Sequence, residues 1–233
     1  MNTPKLSIII PAWNEGKTVG LVIERLLKIP FDGWMVEIIA VNDGSTDNTA
    51  AVLNGFLNRI TVVHLSKNSG KGSAIRAGIE ASTGDYAIIQ DADLECTPEE
   101  IPMLLRGLGD VSSGNKIAVM GSREINEKNK KNRSLSGAGS RFITTLINFL
   151  YGSSLTDTLM CYKLFPRAVF SYFGAGGFDA EMIFIARLLK EGYKIVEIPV
   201  SYSPRQNDAG KKIRYRDGIR IILKILFFRF TGH

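Results

Sequence analysis

The chain has 233 residues, 45% of them hydrophobic, and a formal net charge of +6. That length supports one sizeable core, and two cysteines, Cys96 and Cys161, exclude a disulfide framework and a four-ligand zinc site. From Arg205 onward eight basic residues face two acids, Asp208 and Asp217, so this tail carries the whole excess and points to an anionic partner.

The opening MNTPKLSIIIPAW has no charged leader followed by a cleavable apolar stretch. It reads as a first strand, and a reducing, cytoplasmic setting is expected. Apolar runs rich in β-branched residues predict strands at 6–10, 36–41, 60–65, 86–89 and 117–120. Helical patterns fall between them at 18–27, 46–57, 73–81 and 98–108. This alternation predicts an α/β fold, a central mostly parallel sheet flanked by helices. Ligands of such sheets bind at the carboxyl ends of the strands, so the loops at those ends are where chemistry is expected.

The first such loop, PAWNEGKT, offers Glu15 either to ribose hydroxyls or as a helix N-terminal acid. The second, VNDGSTDNT, carries Asp43, a hydrogen-bond acceptor for a base or a structural turn residue, with Ser45 or Thr46 capping the next helix. NSGKGSAIRAG departs from a P-loop because Gly72 follows Lys71, which reads either as a residue near a diphosphate or as a surface lysine in a flexible turn. In QDADLECTPEE, Asp91 and Asp93 would point the same way on an extended chain. Such a pair is suited to Mg²⁺ or Mn²⁺ or merely decorates a turn, and Glu95 could add a third oxygen. Thr97, Pro98 and Glu100 read as a capping box.

The second half is less regular. Residues 124–133, EINEKNKKNR, read as a mobile polar loop. Residues 142–151 are apolar over about half of the roughly 20 residues a membrane crossing needs. A helix is expected at 178–189 and a strand at 195–200. The last stretch, RDGIRIILKILFFRF, reads as a helix with Arg216, Arg220 and Lys224 on one side and Ile219, Ile222, Leu223, Leu226 and Phe230 on another. That apolar side either lies in a membrane interface or docks on the rest of the chain. The tail lacks interleaved aromatics on its polar face, so no nucleic-acid partner is expected.

Together, SIIIPAWNE, VNDGSTDNT, SGKGSAIRAGIEASTGDYAIIQDADLE and GSR resemble glycosyltransferase family 2. TDTLMCYKLF and EIPVSYSPRQNDAGKKIRYRDG narrow the likeness to the group around dolichyl-phosphate mannose synthase and its bacterial polyprenyl-phosphate relatives. The resemblance implies a GT-A fold and a single glycosyltransferase domain over 1–233. Its nucleotide-sugar half would be 1–123, its acceptor half 124–212 and its basic C-terminal helix 213–233. It also implies a GDP- or UDP-linked sugar donor and divalent-metal dependence. The transfer would be an inverting one, of a hexose, mannose first, with glucose or an N-acetylhexosamine as others, to a polyprenyl or dolichyl phosphate at the cytoplasmic membrane face.

Carried onto this sequence, the likeness assigns Pro11, Ala12, Glu15 and Asp43 to the nucleoside. Asp91, Ala92 and Asp93, with Glu95, go to metal and diphosphate. Arg123, Arg205 and Lys211 would meet phosphates, and Arg133 with Ser136 the acceptor phosphate. Glu95 stands where a mannose synthase usually has Gln, and TDTLMCYKLF replaces the usual segment around Asp157. No C-terminal pair of membrane helices follows, as it does in some relatives. The alternative is a family 2 enzyme of envelope polysaccharide or glycolipid synthesis with a hydroxyl acceptor. That acceptor needs a general base, for which Asp179 or Asp157 would serve; each reads equally as a helix cap or turn residue.

Overall fold

A computed structural model describes residues 3–109, 116–127, 129, 136–204 and 215–231, with 136–137 and 215–217 in backbone only. The strands are β1 (Lys5–Ala12), β2 (Met35–Asp43), β3 (Thr61–Leu65), β4 (Tyr86–Ile89), β5 (Ile117–Ser122), β6 (Lys163–Pro166) and β7 (Lys194–Pro199). They form one sheet in the order β3-β2-β1-β4-β6-β5-β7. β1 lies parallel to β2 and β4, β2 to β3, and β5 to β7, whereas β6 runs antiparallel to both β4 and β5. Six strands therefore point one way and β6 alone is reversed. The mostly parallel sheet is as expected; β6 is not, because four residues with a lysine among them give no strand signal.

Unbroken aliphatic strands need cover on both faces. Leu6, Ile8 and Ile10 of β1 pack under α1 (Val19–Leu26), α2 (Thr49–Asn54) and α4 (Ile101–Arg106). Ile9, on the opposite face, packs with Ile75 and Ile79 of α3 (Lys71–Ala81) and Phe184 of α6 (Asp179–Lys190). A third cluster joins Ile143 and Ile147 of α5 (Ser136–Tyr151), Ile185 of α6, and Ile221 and Ile225 of α7 (Tyr215–Thr231).

Three local readings need correction. α2 starts at Thr49, because Asp47 accepts the Thr49 amide at 2.9 Å and neither Ser45 nor Thr46 caps the helix. The 98–108 helix divides into a 3-10 turn, Pro98–Glu100, and α4, whose first turn holds a second proline, Pro102. No capping box forms there: Thr97 makes no side-chain cap bond, and both Glu100 carboxylate oxygens accept the Ser201 amide at 3.0 Å. Within the expected mobile segment 124–133, Asn129 donates to the carbonyls of Arg123 and Val200 and accepts the Tyr202 amide. Residues 128 and 130–133 lie outside the described residues.

α7 divides the single apolar side read from the sequence. Ile221, Ile225 and Phe228 are buried against the protein, Ile222 and Leu226 are half-buried, and Ile219, Leu223, Phe227 and Phe230 stay exposed. The helix docks with one face and presents a second apolar face outward. Phe142 and Phe149, one helical repeat apart on neighbouring α5, are also exposed.

Candidate active site

Because six strands share a direction, their carboxyl ends meet along one edge of the sheet. A cavity of about 680 Å³ opens there. It gathers Pro11, Ala12, Glu15, Asp43, Lys71, Asp91, Ala92, Asp93, Glu95, Arg123 and Asp179 from the sequence reading. Ser136 opens α5, but its side chain, like all of Arg133, Arg205 and Lys211, lies outside the described residues.

β4 ends at Ile89, so Asp91 and Asp93 do not lie on an extended strand; they stand in a turn that Leu94 closes with a φ of 64°. The turn, and not strand alternation, brings them to the same cavity. Asp93 Oδ1 also accepts the Glu95 amide at 3.1 Å. The Asp91 carboxylate receives Lys71, whose Nζ lies 2.8 Å from Oδ1 and 3.1 Å from Oδ2. On its far side Lys71 meets Glu181 Oε1 at 3.0 Å, and the other Glu181 oxygen takes Lys163 Nζ at 2.8 Å. Lys163 also donates to the Met160 carbonyl.

Acid and base thus alternate from the cavity into the core. Burial would push the Lys71 ammonium down, but Asp91 and Glu181 hold it well above the usual lysine range. Burial would likewise raise Glu181; Lys163 and Lys71 more than offset this, and it lies below the usual carboxylate range. Two glycines make the approach of α3 to α6 possible. Gly70 takes a φ of 94°, and a Cβ there would fall 2.7 Å from the Gly176 carbonyl oxygen; a Cβ at Gly72 would fall 2.4 Å from that of Ala180.

Arg123, at the end of β5, is bound by Asp157: its Nε and a terminal nitrogen each donate at 2.7 Å to separate carboxylate oxygens. Its guanidinium lies 4.9 Å from the centre of the Tyr202 ring. The Tyr202 hydroxyl donates to Glu95 at 2.8 Å. Burial opposes the Arg123 charge, yet Asp157 holds it above the usual range; burial and the bond to Glu95 raise the Tyr202 phenol. Asp157, 1% exposed, is bidentate on Arg123.

The Asp43 carboxylate accepts the amides of Ser69 and Gly70 at 2.8 and 2.9 Å, fixing the loop that leads into α3, and burial raises its pKa despite these donors. Glu15 accepts the Thr18 hydroxyl at 2.8 Å while its amide donates to Thr49 at the same distance. Asp179 is not a helix cap: Phe178 holds that place, and Asp179, 4% exposed, pairs with Lys224 of α7, with Arg220 at 3.9 Å.

Asp91 and Asp93 supply hard oxygen donors on one cavity wall, and the Lys71 ammonium bonded to both Asp91 oxygens shows that this carboxylate receives a cation. Among the described residues no three His, Cys, Asp or Glu side chains converge as a ligand set. Two carboxylates fit Mg²⁺ or Mn²⁺ when substrate phosphates and water provide the remaining oxygens.

The sequence reading missed Glu181, Lys163 and Tyr202. The signal for the first two was a charged residue inside an apolar run, in DAEMIF and YKLF, which burial tolerates only with a partner. It also missed that Cys96 and Cys161, both free and buried, meet in the cavity wall with sulfurs 3.5 Å apart.

The sequence model described as Glycosyl transferase family 2 matches residues 7–174. The chain belongs to that family, and its fold is the GT-A fold of the family's enzymes. Among characterised relatives it is similar to human dolichyl-phosphate beta-glucosyltransferase, 29% identical, covering 97% of this chain and 75% of the relative. It is also similar to undecaprenyl-phosphate 4-deoxy-4-formamido-L-arabinose transferase of Photorhabdus laumondii, 34% identical over 71% of this chain and 50% of that protein. Among solved structures it resembles Mycobacterium tuberculosis glucosyl-3-phosphoglycerate synthase with uridine diphosphate, at a TM-score of 0.74 and 20% identity, covering 97% of this chain and 80% of that one. The same enzyme with Mn²⁺, uridine diphosphate and phosphoglyceric acid gives a TM-score of 0.73 at 19% identity, covering 97% and 79%.

Proposed function

We propose that this protein transfers a hexose from a nucleoside-diphosphate sugar to a polyprenyl phosphate held at a membrane surface. The observation that carries this reading is the position of α7. Arg220 and Ile221 line the cavity, while Ile219, Leu223, Phe227 and Phe230 of the same helix face outward. An acceptor with an anionic head and an apolar chain matches a site with that border. Arg229, exposed on the same helix, suits an anionic bilayer, where a basic residue contributes about 1 kcal/mol near the surface. No helix among the described residues is long and apolar enough to cross a membrane.

Both carboxylates considered as bases for a hydroxyl acceptor are held by cations, Asp157 by Arg123 and Asp179 by Lys224. A phosphate acceptor needs no base, being already anionic at neutral pH. One of its oxygens bonds to the anomeric carbon as the bond from that carbon to the diphosphate breaks. Pro11, Ala12, Glu15 and Asp43 line the nucleoside end of the cavity, and Lys71 stands beside the diphosphate. Asp91 and Asp93 would hold a Mg²⁺ or Mn²⁺ ion, which supplies neutralisation of charge on the leaving diphosphate.

The names of the relatives favour glucose over mannose as the sugar, and the neighbouring complexes favour uridine over guanosine in the donor. The test is a screen of UDP- and GDP-sugars with and without polyprenyl phosphate, following nucleoside diphosphate release in Mg²⁺ or Mn²⁺. Release that depends on polyprenyl phosphate is expected. Release that instead depends on a sugar hydroxyl acceptor overturns the reading.

A further inference from the structure

Among the described residues three cationic side chains line the cavity: Lys71, Arg123 and Arg220. Two are committed to nearby carboxylates, Lys71 between Asp91 and Glu181 at 2.8 to 3.1 Å, and Arg123 to Asp157 at 2.7 Å. Arg220 is different. Its closest carboxylate, Asp179, is 3.9 Å away, and its side chain is 63% exposed. One turn further along α7, Lys224 pairs with the same carboxylate and is still 42% exposed. Two cations share one buried acid, so a positive charge is left over at this point of an otherwise acid-rich cavity. Five guanidinium and three ammonium N–H donors face one carboxylate's lone pairs, and several stay open to a ligand.

The helix fixes where that charge sits. At 100° per residue, positions 220 and 224 fall between the buried stripe of Ile221, Ile225 and Phe228 and the exposed stripe of Leu223, Phe227 and Phe230. Arg220 lines the cavity and Lys224 pairs with Asp179, which also lines it, so both border the outward apolar surface. A monoester phosphate whose hydrocarbon chain runs along the exposed stripe arrives at this border head first. We propose that Arg220 and Lys224 form the seat of the acceptor phosphate, with Asp179 as the counter-ion that holds the two side chains over the cavity. The assignment rests on the lipid-phosphate reading above and adds to it two residues from the C-terminal helix.

The test uses the full chain and farnesyl phosphate dispersed in neutral detergent, so that adhesion to anionic headgroups plays no part. Arg220→Ala and Lys224→Ala are each expected to raise the acceptor KM about ten- to a hundredfold, the loss of one charge-assisted hydrogen bond, with donor KM unchanged. Arg220→Lys and Lys224→Arg, which keep the charge and the docking of α7, should recover most of that loss. Melting curves separate a seat from a detached helix, since a helix that merely undocks lowers the melting temperature and shifts both KM values together. If the wild type transfers to farnesyl phosphate and both alanine variants keep its acceptor KM, the seat is wrong and the proposed function stands. A defect seen on phosphatidylglycerol vesicles and absent in detergent assigns the two residues to the bilayer and overturns the seat. If the wild type transfers to no prenyl phosphate at all, both fall.

Discussion

The two ends of the cavity are built on different principles. At the proposed donor end the carboxylates are held by short contacts: Asp43 by the Ser69 and Gly70 amides, Glu15 by the Thr18 hydroxyl, and Asp91 through Lys71 and Glu181 to Lys163, which is 2% exposed. At the proposed acceptor end the cations are long side chains on α7 that share one carboxylate, Arg220 63% and Lys224 42% exposed. A buried ion chain is rigid because breaking it strands a charge; a surface pair yields easily because water replaces either partner. The first arrangement suits a compact, invariant diphosphate. The second suits a flexible acceptor that must enter from a different phase.

This contrast can be broken by experiment, beginning where the effect is largest. Glu181→Gln leaves Lys163 buried beside a neutral group and is expected to destabilise the fold by about 3–5 kcal/mol. In urea unfolding, a change below about 1 kcal/mol would mean that the ion chain is not rigid. Asp93→Asn should cost roughly 10²-fold or more in turnover, through lost stabilisation of the leaving diphosphate, with the urea midpoint unchanged. Turnover surviving both this substitution and chelation would exclude metal-assisted donor chemistry.

At the acceptor end, Leu223→Glu and Phe227→Glu replace side chains that are each 62% exposed. Each should weaken binding to anionic vesicles about tenfold and leave the melting temperature within about a degree, since an exposed apolar group contributes to a membrane contact and not to the core. Wild-type sedimentation with vesicles by both variants would remove the membrane role of α7.

The smallest effect lies in the donor half. Glu37 is partly buried, which raises its pKa, but Lys5, Ser7 and Thr83 outweigh this and bring it down to about 2. A carboxylate depressed in the folded state stabilises fully above its unfolded value of about 4.3 and loses that contribution as pH falls through about 2. Melting temperature followed from pH 5 to pH 2 should fall less steeply for Glu37→Gln than for the wild type. Identical slopes would show that Glu37 does not anchor this edge.

Legibility in the sequence followed the same division. In the first half of the chain the candidate residues sit at or soon after the carboxyl ends of strands, as Asp43 closes β2 behind Ala40 and Val41, so local pattern and cavity position coincide. The rest of the cavity depends on pairings between residues far apart: Arg123 with Asp157, Glu95 with Tyr202, Asp179 with Lys224. Nothing in the local pattern of either partner names the other. Glu100 illustrates the limit, for its spacing from Thr97 matched a capping box and its carboxylate went instead to the Ser201 amide, 101 residues away. α7 was read as having one apolar side because a helix in isolation gives no sign that Ile221, Ile225 and Phe228 will find a partner.

The reversed strand β6 sets the order in which the molecule can assemble during synthesis. β4 and β5 share no ladder of their own; each pairs with β6. Until residues 163–166 leave the ribosome, the parallel unit β3-β2-β1-β4 ends in an open edge, and β5, already made, has no strand to join it there. That open edge is the kind that recruits other chains, and it persists while some seventy further residues after β4 are translated, several seconds at about 5–20 residues per second. Synthesis that stalls in that interval should yield insoluble protein.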